Sequence, residues 1–201
     1  GCTVEGTFVD DRLQGAAKIV YSNGDEYAGE TREGKATGRG TLVTKAGSRY
    51  EGEWRDDKQH GKGKEMYKNG STYEGNFVQG MKSGHGILTL PNGDYYDGVF
   101  EDDEITGQGE MVYSDGRIYQ GRWLKGLHDG RGKLTWPDGT TYDGEFSGGF
   151  KHGNGVMAWR DGRKYSGSWV KGKYDGKGTL SDANGQAKEG VFSNGQLVRW
   201  T

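Results

Sequence analysis

The residues in this chain that could carry chemistry are closely spaced glycine pairs, four histidines with one cysteine, and a stretch rich in cations. Gly61-Lys62-Gly63 and Gly130-Arg131-Gly132 have the spacing of a phosphate-cradling loop. Such a loop must open into a helix N-terminus, where free N–H groups point at the phosphate. Each pair here leads into a strand pattern instead, so no nucleotide site is expected. His60, His85, His128 and His152 are spread along the chain, and with Cys2 they form no cluster at zinc-site spacing. The metal arrangement left open is one shared between chains, using Cys2 or one of these histidines. Serine and histidine also lack the nucleophile–base context of a triad. The sequence reads as non-catalytic, with no cofactor.

The cations suggest a different chemistry. Residues 1–116 are net acidic, whereas Arg117 to Lys177 hold twelve Lys/Arg against six Asp/Glu. Arg122, Lys125, Arg131, Lys133, Lys164, Lys171, Lys173 and Lys177 are therefore candidates for contact with anionic lipid. Each cation near such a surface contributes about 1 kcal/mol. Interspersed acids and the overall charge of −2 argue for the simpler role of keeping a thin sheet in solution. Nucleic acid is not expected, because phosphate binding needs a basic overall footprint.

Composition limits what can position these groups. Only 30% of the 201 residues are hydrophobic, and 40 are glycine, about three times average usage. No thick aliphatic core can form. Yet 12% of the residues are aromatic and net charge is small, unlike a disordered chain. Two prolines exclude collagen and polyproline architectures. One cysteine excludes an internal disulfide framework and fits a reducing compartment. No apolar run approaches the roughly 20 residues of a membrane helix, and residues 1–20 lack the apolar core of a secretory signal. The expected location is cytoplasmic.

An internal repeat settles the architecture. Tyr27, Tyr50, Tyr73, Tyr96, Tyr119, Tyr142 and Tyr165 recur every 23 residues, and the register extends back to Val4 and forward to Lys188. With the tyrosine as slot 1, slot 3 is always glycine, from Gly6 to Gly190. Slot 5 is aromatic (Phe8, Trp54, Phe77, Phe100, Trp123, Phe146, Trp169, Phe192) except at Thr31. Slots 12 and 14 are glycine, with Ala17 the exception. The Tyr-x-Gly-x-aromatic alternation is a strand with its rings on one face. Slots 16 and 18, for example Leu134 and Trp136, mark the return strand.

Turn residues fit this reading. Slot 21 is glycine in every full repeat, preceded by Asn or Asp except at Ala46, and Asn-Gly is the signature of a type I′ hairpin turn. The second connection, around slots 6–12, is predicted to be longer. Glycines at slots 3, 12 and 14 are expected to make room for a neighbouring repeat's ring against the backbone, with simple bulges as the alternative. Each repeat is then an antiparallel hairpin and residues 1–201 form one all-β meander, an elongated rod on the order of 80 Å long at about 4.8 Å per strand. A single hairpin buries too little to fold alone, so neighbours must stack.

Tyr50-Glu51-Gly52-Glu53-Trp54 followed by His60-Gly61-Lys62-Gly63, and Tyr119-Gln120-Gly121-Arg122-Trp123 followed by Gly130-Arg131-Gly132, closely resemble copies of the MORN repeat (membrane occupation and recognition nexus). The resemblance covers essentially the whole chain. It implies a single-layer twisted antiparallel sheet used for assembly, most like the all-repeat cytoskeletal scaffolds of protist parasites, which oligomerise near membranes. The expected function is a non-catalytic, self-associating scaffold for cytoskeletal protein partners, with anionic phospholipid or phosphoinositide contact as the alternative.

Departures mark the weak points. Val4 replaces the tyrosine, Thr31 replaces an aromatic, and the repeat from Lys188 stops halfway. The expectation is a fragment of a longer array. A homodimer is expected through Phe192, Leu197, Val198 and Trp200, which lack a following repeat.

Overall fold

The computed structural model describes residues 1–201, and all of its regular structure is strand. Two compact units divide the chain, Gly1–Glu104 and Ile105–Thr201. The first contains β1 Thr3–Val9, β2 Arg12–Val20, β3 Glu26–Arg32, β4 Lys35–Val43, β5 Arg49–Arg55, β6 Lys58–Met66, β7 Thr72–Val78, β8 Met81–Thr89 and β9 Tyr95–Glu101. The second runs from β10 Glu104–Val112 through β11 Ile118–Leu124, β12 Leu127–Thr135, β13 Thr141–Ser147, β14 Phe150–Ala158, β15 Lys164–Val170 and β16 Lys173–Ser181 to β17 Ala187–Ser193 and β18 Gln196–Trp200. Within each unit every strand pairs antiparallel with the next in sequence. The all-β meander is as the repeat predicts.

Register explains the glycines. Gly29 pairs with Gly40, Gly40 with Gly52, and Gly52 with Gly63, so a row of glycines crosses the first unit's strands. The second unit repeats the row through Gly121, Gly132, Gly144 and Gly155. A Cβ on Gly52 would lie 2.5 Å from both the Tyr50 hydroxyl and the Gly63 Cα. The ring over each glycine pair therefore belongs to the same repeat, not to a neighbour as the sequence suggests. Slot 1 sits two residues before slot 3 on the same face, so its own ring reaches the floor first.

Successive repeats meet ring to ring. Tyr50 packs edge-on against Trp54 of its own repeat (5.2 Å, 89°) and against Phe77 of the next (5.0 Å, 87°). The second unit repeats this with Tyr142, Phe146 and Trp169. Such pairs contribute about 0.5–1.5 kcal/mol beyond the area they bury. Tryptophan adds a polar tie: Trp54 Nε1 donates to the Gly40 carbonyl of the preceding repeat at 3.1 Å, and Trp169 does the same to Gly155 at 3.1 Å. Thr31, the one non-aromatic residue in slot 5, makes a different tie to the preceding repeat, donating from Oγ1 to the slot 12 carbonyl of Gly15 at 2.9 Å.

The two turns exchange roles relative to the sequence reading. The tight two-residue turns lie at slots 7 and 8, where both residues have positive φ: Asp10 and Asp11 (47° and 59°), Asp56 and Asp57 (49° and 64°), Lys125 and Gly126 (50° and 73°). At Asn23-Gly24 only the glycine does (90°), and the Gly24 N–H donates to the Tyr21 carbonyl at 2.9 Å. That is a type I turn closed by a left-handed glycine, a three-residue hairpin loop. Asparagine or aspartate precedes the glycine for its side chain: Asn23 Oδ1 accepts the Asp25 N–H at 3.0 Å, and Asp138 Oδ1 accepts the Thr140 N–H at 2.8 Å.

Candidate functional site

Of the slot 5 rings named from the sequence Phe8 is exposed (58%), whereas the others and the slot 1 tyrosines are buried. Tyr27, Tyr73, Tyr119, Tyr142 and Tyr165 are fully enclosed, and Tyr50, Trp54, Phe77, Tyr96, Phe100, Trp123, Phe146 and Trp169 nearly so. Each tyrosine hydroxyl donates to the backbone carbonyl three residues on, as Tyr50 does to Glu53 at 2.8 Å and Tyr165 to Ser168 at 3.0 Å. Burial pushes the Tyr73, Tyr96 and Tyr165 hydroxyls up to about 12. These rings hold the fold together and are closed to ligands.

What covers them is slot 10, which the consensus hides because its residue type changes at every repeat. His128 stacks on Tyr119 at 3.6 Å, and Tyr174 leans on Tyr165 at 4.3 Å. Lys82 lies over Tyr67 and Tyr73, and Lys151 lies 4.7 Å from Trp169 and 5.4 Å from Trp136. Burial lowers the Lys151 pKa. Slot 10 is thus the variable lid of a constant core. A signal was present: slot 10 has the same strand parity as slots 14 and 16.

Slot 12 glycines serve the bulge rather than the ring. The ladder shifts register between Gly52 and Trp54, and Gly61 opposite has φ of 62°. The bulge frees an N–H, and the slot 4 carboxylate takes it: Glu53 Oε1 accepts from Lys62 and Glu145 Oε1 from Asn154, both at 3.1 Å. The bulge alternative holds for this slot; at the other two a ring does approach the backbone closely, but it is the repeat's own tyrosine.

The candidate metal ligands lie apart. His128 is buried among rings, with its Nε2 2.9 Å from the Tyr113 hydroxyl, while His85 bonds Asp97 at 2.7 Å on the opposite face. His60 and His152 occupy slot 11, and Cys2 is exposed. No three His, Cys, Asp or Glu residues are placed to hold a metal. No helix is long and apolar enough to cross a membrane. Of the cations, Arg131 stands opposite Glu145 and Lys133 opposite Asp143 on the face away from the rings. Arg122, Lys164 and Lys177 alternate with ring-face residues on their strands, whereas Lys125 and Lys171 sit on tight turns with positive φ. Lys173 Nζ donates to Asn194 Oδ1 at 2.7 Å. Arg122, Arg131, Lys133, Lys164 and Lys177 thus share the face away from the rings, with Lys125 and Lys171 on the turns.

The repeat from Lys188, cut short at slot 14, still pairs as a hairpin, β17 with the five-residue β18. Phe192 is buried against Tyr165 at 5.1 Å, so it is not available to a partner. Leu197, Val198 and Trp200 remain exposed. Both repeats without a slot 1 tyrosine use leucine from slot 10 instead. A Cβ on Gly6 would meet Leu13 Cδ1 at 2.8 Å, and one on Gly190 would meet Leu197 Cδ1 at 2.8 Å.

Comparison with solved structures finds a similar fold in domains of CPAP. The TCP10 domain of Danio rerio CPAP has a TM-score of 0.54 at 16% identity, covering 100% of this chain and 95% of that one. The same domain in complex with a peptide of Danio rerio STIL gives 0.56 at 15%, covering 99% of both chains. The G-box domain of the microcephaly protein CPAP gives 0.54 at 16%, covering 93% of this chain and 98% of that one. A search of curated proteins finds no match. The MORN repeat model matches residues 5–26, 27–49, 50–72, 73–95, 96–116, 119–141, 142–162 and 165–187. Period, ring-on-glycine packing and family match agree, and the chain belongs to the MORN-repeat family.

Proposed function

We propose that this chain is a non-catalytic scaffold that self-associates and organises cytoskeletal or membrane-associated assemblies through protein contacts. One observation carries the reading: the slot 1 tyrosines and the slot 5 rings from Trp54 to Phe192 are consumed by the core, while most residues that vary between repeats, the slot 10 lid apart, face outward. That division fits a framework that displays surfaces, and leaves no shared set of groups for catalysis. A similar fold in CPAP occurs in complex with a STIL peptide, which supports a protein-binding role for this one. Exposed Leu197, Val198 and Trp200 on β18 are the surface proposed for self-association.

Sedimentation with small-angle scattering across a concentration series tests the reading. The expected result is a dimer that Leu197→Ser with Val198→Ser dissociates. A monomer at all concentrations would remove self-association. Anionic lipid is the second reading, favoured by the turn cations Lys125 and Lys171 at the tips of exposed hairpins. Liposome co-sedimentation in a salt series separates the two. Lipid contact predicts salt-sensitive binding that is lost when Arg131, Lys133, Lys171 and Lys173 are neutralised. Binding that survives neutralisation would clear that patch.

A further inference from the structure

Repeat 2 departs from its neighbours twice: slot 5 is Thr31 and slot 10 is Ala36. Where other repeats carry His128, Lys151 or Tyr174 over the rings, this one carries a methyl group. The first unit has a cavity of about 780 Å³ on its ring face with Ala36 in its lining, within the range of roughly 300–1,000 Å³ typical of ligand sites. Leu13, Ile19, Tyr21, Ala36, Leu42 and Trp54 give it an apolar lining.

Its charge is one-sided. Asp11, Asp25, Glu33 and Asp57 also line it, and Arg12 is the one cation, drawn to within 3.7 Å of Glu33. Some of this acid serves the fold: Asp57 Oδ1 accepts the Ala36 N–H at 2.8 Å, and Asp25 Oδ1 accepts the Lys45 N–H at 2.9 Å. The second Asp25 oxygen, Oδ2, accepts from Asn23 Nδ2 at 2.8 Å. Burial first, and then neighbouring negative charge with Asp57 foremost, raises the Tyr21 pKa, as expected in a negative field.

We propose that this cavity is a docking site for a protein segment carrying one aromatic or branched aliphatic side chain beside Lys or Arg. The apolar side chain takes the volume that slot 10 fills elsewhere, and the cation meets the carboxylates. An apolar anchor in a desolvated pocket supplies affinity, and the complementary charge supplies selection. Acidic segments and anionic headgroups are repelled. The inference rests on the scaffold reading and names one partner chemistry for it.

Fluorescence anisotropy with a labelled heptapeptide, Phe between Arg and Lys in a glycine background, tests the site on the full chain. Saturable binding is expected, weakening at least about tenfold when Glu replaces both cations or Ala replaces Phe, a loss of about 1.4 kcal/mol. Ala36→Tyr fills the cavity as Tyr174 does in its own repeat, and should abolish binding while the melting transition is retained. Asp11→Asn with Glu33→Gln leaves the lining intact and should weaken binding at least about fivefold. If Ala36→Tyr does not fold, this second variant decides alone. No binding, equal binding of the acidic or Ala peptide, or undiminished binding by either folded variant overturns the proposal. Self-association in sedimentation would still stand after any of these results, so the two readings fail separately.

Discussion

The His128 imidazole lies flat on the Tyr119 ring, with centroids 3.6 Å and planes 11° apart. Burial, and then the nearby Arg117 cation, lowers its pKa to about 4. The fold holds the neutral ring, so its contribution is fully present above the unfolded pKa of about 6.5 and is lost as pH falls toward 4. His128→Phe keeps the stack without the titration. Melting temperatures at about pH 7 and about pH 4.5 should therefore fall further in wild type than in the variant. Equal falls would show that His128 takes no part in acid sensitivity.

Tyr50 separates the two roles of slot 1. Tyr50→Phe loses only the 2.8 Å bond to the Glu53 carbonyl and should cost about 1 kcal/mol. Tyr50→Ala also uncovers the glycine floor and leaves a cavity, and should cost about 3–5 kcal/mol. Urea unfolding distinguishes them; similar costs would mean the ring's packing is minor.

Leu13 stands in for the tyrosine missing at Val4, and only 5% of it is exposed. Leu13→Ala should destabilise the first unit by about 2–4 kcal/mol, near the middle of the range for buried leucine. Hydrogen exchange of β1 and β2 amides should accelerate before that of β7 and β8. A uniform change across the unit would contradict a local role.

Glu145 closes the bulge opposite Gly153. Glu145→Ala frees the Asn154 N–H and should cost about 1 kcal/mol, whereas Glu145→Gln keeps an acceptor oxygen and should cost less than half of that. Thermal denaturation of both variants checks the order.

Much of this was legible because strand parity and a fixed period constrain side chains strongly. Tyr50, Gly52 and Trp54 had to share a face, and they do. The turns were misassigned because Asn-Gly suits two loop types, and the deciding feature, a side-chain bond such as Asn23 to Asp25, is geometric. Residues such as Asp10-Asp11 adopt positive φ with no glycine to announce it. Slot 10 was missed because a consensus records sameness, and His128, Lys151 and Tyr174 share a place but no chemistry. Phe192 was misplaced because β18 was not recognised as the return strand that completes its hairpin.

Side-chain-free backbone beneath each tyrosine is the structural premise, and Gly144 tests it most directly. Its added Cβ would sit 2.5 Å from the Gly155 Cα and 2.7 Å from the Tyr142 hydroxyl, with backbone on one side that cannot retreat. Urea unfolding of Gly144→Ala should show a loss of about 3 kcal/mol or more, at the upper end for overpacking. Gly148→Asn, at a turn with open space around it, should change stability by less than about 0.5 kcal/mol. Comparable stability of Gly144→Ala and wild type would contradict the account.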